Sequence, residues 1–315
     1  MGLRAGWGFG NALFVTMALA VIVGAAHGRS THAIVLYEAA LGLGMALGPL
    51  VGGTLGTISW RTPFLGTAIM MAIAATTVAL FVKPLPKPKP VPLTAGFAAL
   101  RHRPLLLWSS ASLLYNFTII CMLAYAPHAL TGAAAASGAD YTSLTLGLVF
   151  FGWGTALAVC SLALPGPMIR YFGLVPAILI ALALMAAMMT VLALNTHSMV
   201  MVMTGIIILG GLQGMSNTMF TEAALNATDV PRNIASSAFS GFRFFGGAMF
   251  PLVSAPLITL WGAPGPFWGS LIVLTAALVI VATGFRVLPN SPLQRGRIFT
   301  RVASSAPAHT HSPGA

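Results

Sequence analysis

Two ionisable residues, Glu222 and Arg243, lie inside long apolar stretches on either side of a short connection around Arg232. At about 1.5 Å of helix per residue, each would sit roughly 13–18 Å from that connection, where the two side chains could face one another. Ionisable groups at membrane depth are costly and are functional candidates by default. One interpretation is a pair that responds to a ligand or a proton, in which protonation of Glu222 frees Arg243. The other is a static ion pair that braces two helices, and the spacing fits both.

Three side-chain amides, those of Asn116, Gln213 and Asn217, also lie well inside apolar stretches. Amides at such positions either bond across helices or face a water-filled cavity. Gln213 and Asn217 are four residues apart and share a helix face, whereas Glu222 lies about 100–180° away from them on a helix. Bonding between helices is the simpler expectation for Asn116.

Glu38 follows the Arg29–Ser30 connection by about seven residues, which places it close to an expected membrane interface. Long charged side chains near an interface extend their charged ends towards the polar headgroups. We therefore expect Glu38 to reach the interface or to hold the neighbouring connection. It also remains a candidate for coupling to a ligand or a proton.

Other kinds of chemistry are not indicated. Cys121 and Cys160 lie inside apolar stretches, where a thiol is usually a small buried apolar group, so neither disulfides nor a zinc site are expected. The sequence has no HExxH motif, no paired intramembrane carboxylates and no nucleotide-binding signature, so we expect neither an enzyme nor a bound metal or cofactor. The Lys and Arg residues are spread between apolar stretches rather than clustered, which argues against a nucleic-acid partner.

The composition is that of a protein whose solvent is a lipid bilayer. Only 6% of the 315 residues are charged, whereas roughly 25% are charged in a soluble domain. Apolar residues make up 57% of the chain, and the mean hydropathy is +0.92. So few charges could not cover the surface of a soluble domain of this size, and membrane lipid is an expected partner.

Nine stretches reach the roughly 20 apolar residues that a helix needs to cross a hydrocarbon core about 30 Å thick. They are continuous rather than alternating, which favours helices over transmembrane strands. The sequence therefore predicts an all-α polytopic membrane protein with nine transmembrane helices. These lie at about 5–26, 34–58, 62–82, 105–126, 144–164, 174–194, 199–222, 234–260 and 266–287.

The longest connection between the predicted helices begins at Lys83 and carries a proline at nearly every second position as far as Pro92. This composition favours an extended polyproline segment. Residues 94–103 then read as a short amphipathic helix, with Phe97 directed towards lipid. We interpret the whole segment as a linker between two helical bundles.

The distribution of the cations predicts the orientation of the chain. When sides alternate at every predicted span, 12 of the 15 Lys and Arg residues fall on one side. That side is expected to be cytoplasmic, and it contains the linker and the C-terminus. Because the number of predicted spans is odd and the C-terminus is expected to be cytoplasmic, Met1 is expected on the outer side of the membrane.

Three motifs of the first three stretches recur in the last three, in the same order and at nearly one offset. The offsets are 206, 202 and 203 residues, and the pairs are Gly8–Phe14 with Gly214–Phe220, Gly44–Val51 with Gly246–Val253, and Pro63–Gly66 with Pro266–Gly269. The repeat would contain six spans, so three spans are expected to be missing before the first stretch.

The expected organisation follows from this repeat. Two parallel six-helix repeats joined by a cytoplasmic linker are the plan of many secondary transporters. The segments are a partial N-terminal bundle at 1–82, equivalent to helices four to six, the linker at 83–104, a six-helix bundle at 105–288 and a disordered cytoplasmic tail at 289–315.

One segment carries a specific family resemblance. Gly44, Gly48, Pro49, Gly52 and Gly53 resemble the glycine–proline antiporter signature in the fifth helix of the major facilitator superfamily. The glycines at 44, 48 and 52 would form a small-residue stripe that permits close helix contact. The proline removes one intrahelical hydrogen bond and favours a bend.

Two weaker motifs agree with this resemblance. Arg4, followed by spaced glycines, is similar to the superfamily's fourth-helix motif, whose arginine the resemblance links to proton transfer. Gly166, Arg170 and Gly173 resemble a second-half copy of its cytoplasmic loop motif. The resemblance covers the chain to about residue 288.

The resemblance implies a bacterial twelve-helix drug:proton antiporter of the plasma (inner) membrane. The segments Met215–Ala224 and Ala235–Gly247 suggest the branch that includes siderophore exporters. Such a protein would export small amphipathic compounds by alternating access, coupled to protons. The first three helices of the family have no counterpart here, so the alternative is a truncated chain that does not transport, or a misassigned start. The oligomeric state stays open.

Overall fold

The computed structural model describes residues 2, 6–11, 13–14, 30–81, 95–228, 230 and 232–287. Arg4, most of the first predicted stretch, the proline-rich part of the linker and the C-terminal tail lie outside these residues. From residue 30 onward, the described chain forms ten α-helices and no strand. They are α1 (Ser30–Ile58), α2 (Thr62–Phe81), α3 (Ala95–Ala99), α4 (Arg103–Ser137), α5 (Ser143–Ala163), α6 (Pro165–Phe172), α7 (Leu174–Leu194), α8 (Met199–Asn226), α9 (Arg232–Trp261) and α10 (Gly265–Val287).

The predicted all-α polytopic membrane fold is confirmed. In the described part of the chain, seven helices are long and apolar enough to cross a membrane, namely α2, α4, α5, α7, α8, α9 and α10. They coincide with the last seven predicted stretches. The predicted stretch at 34–58 lies within α1. The predicted amphipathic segment contains α3, a single short helix whose Phe97 is 79% exposed.

Helix α4 is longer than the sequence indicated. The predicted span ended at residue 126, but the helix continues through Pro127 to Ser137 and has 35 residues. At about 1.5 Å per residue it exceeds the thickness of a hydrocarbon core by several turns. The run of alanines after Gly132 has high helix propensity, and the helix ends where Gly138 adopts φ +65° and its N–H bonds to the Ala134 carbonyl.

The apolar core lies among α4, α7, α8, α9 and α10, which pack against one another. Its largest fully buried side chains include Tyr115, Phe220, Phe239, Phe250 and Phe267. Helix α1 packs along α5, and α2 contacts α1 but contains no buried residue. The segment from α4 to α10 thus has its own core, and α1 joins it through α5.

The α1–α2 pair and the α9–α10 pair share one contact at the offset of the sequence repeat. If Gly66 were replaced by alanine, its methyl group would lie 2.7 Å from Cδ1 of Leu55. In the same way, an alanine methyl group at Gly269 would lie 2.7 Å from Cδ1 of Leu257, so each glycine lies directly against a leucine of the preceding helix. The two leucines are 202 residues apart and the two glycines 203. This agreement supports the interpretation of α1 and α2 as a copy of α9 and α10.

Candidate functional site

Helices α5 and α8 pack so closely that the backbone of one lies against the backbone of the other. Methyl groups on Gly210 and Gly214 would overlap the carbonyl oxygens of Trp153 and Leu157, respectively. One turn further along, Thr218 Oγ1 donates a hydrogen bond to the Ser161 carbonyl at 3.2 Å. Small residues at four-residue spacing allow this approach, and it fixes how α8 is rotated about its axis.

Gln213 lies at the centre of the helix bundle and is fully buried. The indole Nε1 of Trp153 donates to Oε1 of Gln213 at 2.9 Å. An indole N–H can only donate, so this bond fixes the orientation of the Gln213 amide. Its Nε2 is buried and has no hydrogen-bond partner among the described residues.

Tyr115 ties α4 to α8 at the depth of Gln213. Its hydroxyl donates to the backbone carbonyl of Gln213. The Tyr115 ring stacks on Phe220 with a centroid distance of 5.3 Å, and Trp108 meets Phe220 edge-on at 6.3 Å. These buried rings hold the two helices in one register.

Asn217 and Arg243 join α8 to α9. Nη1 of Arg243 donates to Oδ1 of Asn217, and hydrogen bonds from a charged donor are stronger than those between neutral groups. The guanidinium carbon lies 4.9 Å from the ring centroid of Phe244 and 5.6 Å from that of Phe239. Arg243 is therefore held by an amide oxygen and by the faces of two aromatic rings.

Glu222 does not form the predicted pair with Arg243. Among the described side chains, Arg243 bonds to Asn217 and not to Glu222. Five residues separate Asn217 from Glu222, which corresponds to about 140° around α8. The half-buried Glu222 is instead about 40° from Thr218, the residue that contacts α5. Helical periodicity and the packing of α8 on α5 together turn the carboxylate away from α9.

Asn116 brings a third amide to the same layer from α4. It is 3% exposed, and its Nδ2 lies 2.8 Å from the position of a methyl group on Gly247. That nitrogen and the buried hydroxyls of Ser109 and Ser112 have no hydrogen-bond partner among the described residues. The three residues are spaced i, i+3 and i+7, so they share one face of α4. Residue type alone did not single out the two serines, although their helical spacing from Asn116 is visible in the sequence.

We refer to Asn116, Gln213, Asn217 and Arg243 as the amide–arginine cluster. The sequence singled out all four residues, and the structure places them on the neighbouring helices α4, α8 and α9. In the described ranges, no group of three or more His, Cys, Asp or Glu residues could hold a metal ion. What the cluster offers chemically is hydrogen bonding and one positive charge in an apolar bundle.

The comparisons with known proteins agree with this architecture. The family profile described as Major Facilitator Superfamily matches residues 1–133. A relative from Bacillus subtilis (strain 168), named Multidrug efflux protein YfmO, is 40% identical over 283 residues, which are 89% of this chain and 69% of the relative. This chain belongs to the Major Facilitator Superfamily. It is therefore an integral membrane protein of a transporter family.

Two of the residues predicted to form an antiporter signature, Pro49 and Gly53, lie at the crossing of α1 with α5. A methyl group on Gly53 would lie 2.7 Å from the carbonyl oxygen of Ser143, and one on Gly147 would lie 2.9 Å from the carbonyl oxygen of Pro49. The contact face therefore contains Pro49 and Gly53.

The stripe expected from the sequence does not form this contact. Methyl groups on Gly44, Gly48 and Gly52 would meet no described atom within 4 Å. Gly53 lies about 100° from Gly52 around the axis of α1. A rotation of α1 that buries Gly53 against α5 therefore turns the stripe of Gly44, Gly48 and Gly52 away from α5.

The other residues that the sequence singled out are Glu38, Arg4 and those of the predicted cytoplasmic loop motif. Arg170 is exposed in the last turn of α6, whose first turn contains Gly166. Gly173 adopts φ +84° between α6 and α7, a conformation that glycine tolerates best. Glu38 lies within α1, and its side chain is outside the described residues, as is Arg4.

Proposed function

We propose that this protein is a secondary active transporter that exports small amphipathic compounds by alternating access, in exchange for protons. Membership of the Major Facilitator Superfamily supports transport, and the name of the Bacillus relative, a multidrug efflux protein, supports export of drug-like compounds. The observation that carries the proposal is the amide–arginine cluster, which places buried polar groups in the middle of an apolar helix bundle.

Buried polar groups without partners destabilise a fold, because each loses its hydrogen bonds to water on burial. Nδ2 of Asn116 and Nε2 of Gln213 are two such groups among the described residues. A protein that retains this cost at the centre of a bundle gains if a ligand supplies the missing partners. We therefore infer that the polar part of the substrate binds at this cluster, while its apolar part contacts the surrounding side chains.

Glu222 is our candidate for the proton carrier. It is a half-buried carboxylate inside α8, and intramembrane acids are frequent members of proton pathways. Since Arg243 bonds to Asn217 instead, protonation of Glu222 would change the charge of α8 without breaking the Asn217–Arg243 bond. The distribution of cations supports a cytoplasmic C-terminus, and the relative from Bacillus supports the bacterial plasma membrane as the location.

The test is transport by the full chain in proteoliposomes with an imposed pH gradient. We expect accumulation of an amphipathic fluorescent dye that requires both the protein and the gradient. Glu222→Gln should reduce gradient-driven uptake about tenfold or more while leaving dye binding intact, because the amide cannot carry a proton. The matched control is Asp140→Asn, an acid in the exposed turn between α4 and α5.

Each result of this test bears on a different part of the proposal. Protein-dependent uptake that is independent of the pH gradient would overturn proton coupling. Uptake by Glu222→Gln equal to that of the unmodified protein would show that Glu222 is not the proton carrier. No protein-dependent uptake at all would favour the alternative, a chain that inserts but does not transport.

A further inference from the structure

We propose that the amide–arginine cluster selects substrates by their hydrogen-bond acceptors, so that compounds with carboxylate or phenolate oxygens are bound in preference to organic cations. The idea rests on the proposed function, because it names the class of substrate that the transporter would take. It follows from the direction in which each polar group of the cluster points its hydrogen atoms.

Gln213 has donors, unpartnered among the described residues, that a ligand could bind. Its Oε1 accepts from Trp153, a side chain that has no acceptor, so the amide cannot be turned the other way without losing that bond. The two N–H groups of Nε2 then point away from Trp153, and they are buried without an acceptor among the described residues.

Asn217 has the same polarity one helical turn away. Its Oδ1 accepts from Arg243, and a guanidinium can only donate. The Nδ2 group of Asn217 is therefore directed away from Arg243. Gln213 and Asn217 are four residues apart, so both amides present N–H groups on nearly one face of α8.

Helix α4 adds further hydrogen-bonding groups at this depth. The Tyr115 hydroxyl bonds to the Gln213 carbonyl, which places the adjacent Asn116 at the level of Gln213. Nδ2 of Asn116 is buried beside Gly247 and lacks an acceptor among the described residues. Ser112, one turn away on the same face, can donate as well.

The described side chains place no carboxylate on this face to attract a cation. Glu222 is about 140° around α8 from Asn217, and Asp140 lies in the turn between α4 and α5. The N–H groups of Gln213, Asn217 and Asn116 point the positive ends of their dipoles at the ligand, so they favour an acceptor oxygen over a cationic group.

Two dyes with the same xanthene ring system test this selectivity. Fluorescein has carboxylate and phenolate oxygens, and rhodamine 6G is a cation whose carboxyl group is esterified. Binding to the purified full chain in phosphatidylcholine nanodiscs is measured by fluorescence anisotropy, with empty nanodiscs subtracted. We expect fluorescein to bind about tenfold more tightly than rhodamine 6G, the difference that one charge-assisted hydrogen bond can supply.

The decisive variant is Gln213→Glu. Its carboxylate can still accept from Trp153, but it presents an oxygen where Gln213 presents N–H groups. We expect fluorescein binding to weaken about tenfold or more and the preference to shift towards rhodamine 6G. Gln294→Glu makes the same change at the chain's other glutamine and should leave both affinities unchanged.

A second variant covers the case in which a charge at the fully buried position 213 prevents folding. Asn217→Asp retains an acceptor for Arg243 and loses the N–H groups, at a half-buried position that tolerates charge better. It should shift the ratio of the two affinities in the same direction.

Equal affinities, or tighter binding of rhodamine 6G by the unmodified chain, would overturn the selectivity and leave the proposed transport function standing. An unchanged ratio in the folded Gln213→Glu or Asn217→Asp variant would also overturn it. If neither dye binds, the inference is wrong. If, in addition, the proteoliposomes take up no dye, the proposed function fails with it.

Discussion

A methyl group on Gly53 would lie 2.8 Å from the Cα atom of Gly147, so α1 and α5 meet backbone to backbone where these two glycines cross. The approach is possible because neither residue has a side chain. Since α1 packs on α5 outside the core formed by α4 and α7–α10, this crossing is its main attachment to the rest of the described structure.

Gly53→Ala should destabilise the protein, whereas Gly52→Ala should not. The Gly53 methyl group would meet the Ser143 carbonyl and the Gly147 Cα, both backbone atoms that cannot rotate away. Overpacking of this kind costs about 1–3 kcal/mol, or roughly 2–12 °C in Tm. At Gly52 a methyl group would meet no described atom, and alanine has the higher helix propensity. Thermal unfolding of the two variants in the same detergent decides the matter, and equal Tm values would contradict the observed contact face.

Gly214→Ala should be more damaging than Gly205→Ala, although both glycines are buried in α8. At Gly214 the new methyl group would overlap the backbone carbonyl of Leu157, and at Gly205 it would meet the flexible end of the Leu192 side chain. A side chain can change rotamer, but a helix backbone must move as a unit. We expect a Tm lower by about 4 °C or more for Gly214→Ala than for Gly205→Ala, measured by thermal unfolding. The reverse order would show that α5 and α8 are further apart than described.

Arg243 should be energetically coupled to Asn217 and not to Glu222. A double-mutant cycle with Asn217→Ala and Arg243→Met is expected to give a coupling free energy of about 1 kcal/mol or more, because a hydrogen bond to a charged group is lost. The cycle with Glu222→Gln and Arg243→Met should be additive within about 0.5 kcal/mol. Both can be measured by denaturant unfolding in mixed micelles. A larger coupling to Glu222 would restore the ion pair that the sequence first suggested.

Tyr115→Phe should lower the free energy of unfolding by about 1 kcal/mol, equivalent to roughly 2–4 °C in Tm. The substitution keeps the stacking on Phe220 and removes only the hydrogen bond to the Gln213 carbonyl. Tyr141→Phe is the matched control, because Tyr141 is only partly buried at the edge of the core. If the two variants unfold at the same temperature, the bond between α4 and α8 contributes no stability.

Much of the candidate site was predictable from residue types alone. Amides and charges are rare in such apolar helices, so Asn116, Gln213, Asn217 and Arg243 stand out in the sequence. Their partners were not predictable in the same way. Nothing in the spacing indicates that the Trp153 indole bonds to Gln213, because these residues are 60 positions apart on different helices.

The helices follow from the order of the residues alone, because a bilayer requires long apolar stretches whose backbone hydrogen bonds are satisfied within each stretch. That order also determines which residues share a face of each helix, through the helical period. The rotation of each helix against its neighbours, in contrast, depends on how the helices pack. Small residues that permit backbone contact set that rotation, so Gly53 rather than the stripe of Gly44, Gly48 and Gly52 meets α5. For the same reason, the packing of α8 on α5 gives Arg243 the amide of Asn217 as its partner in place of Glu222.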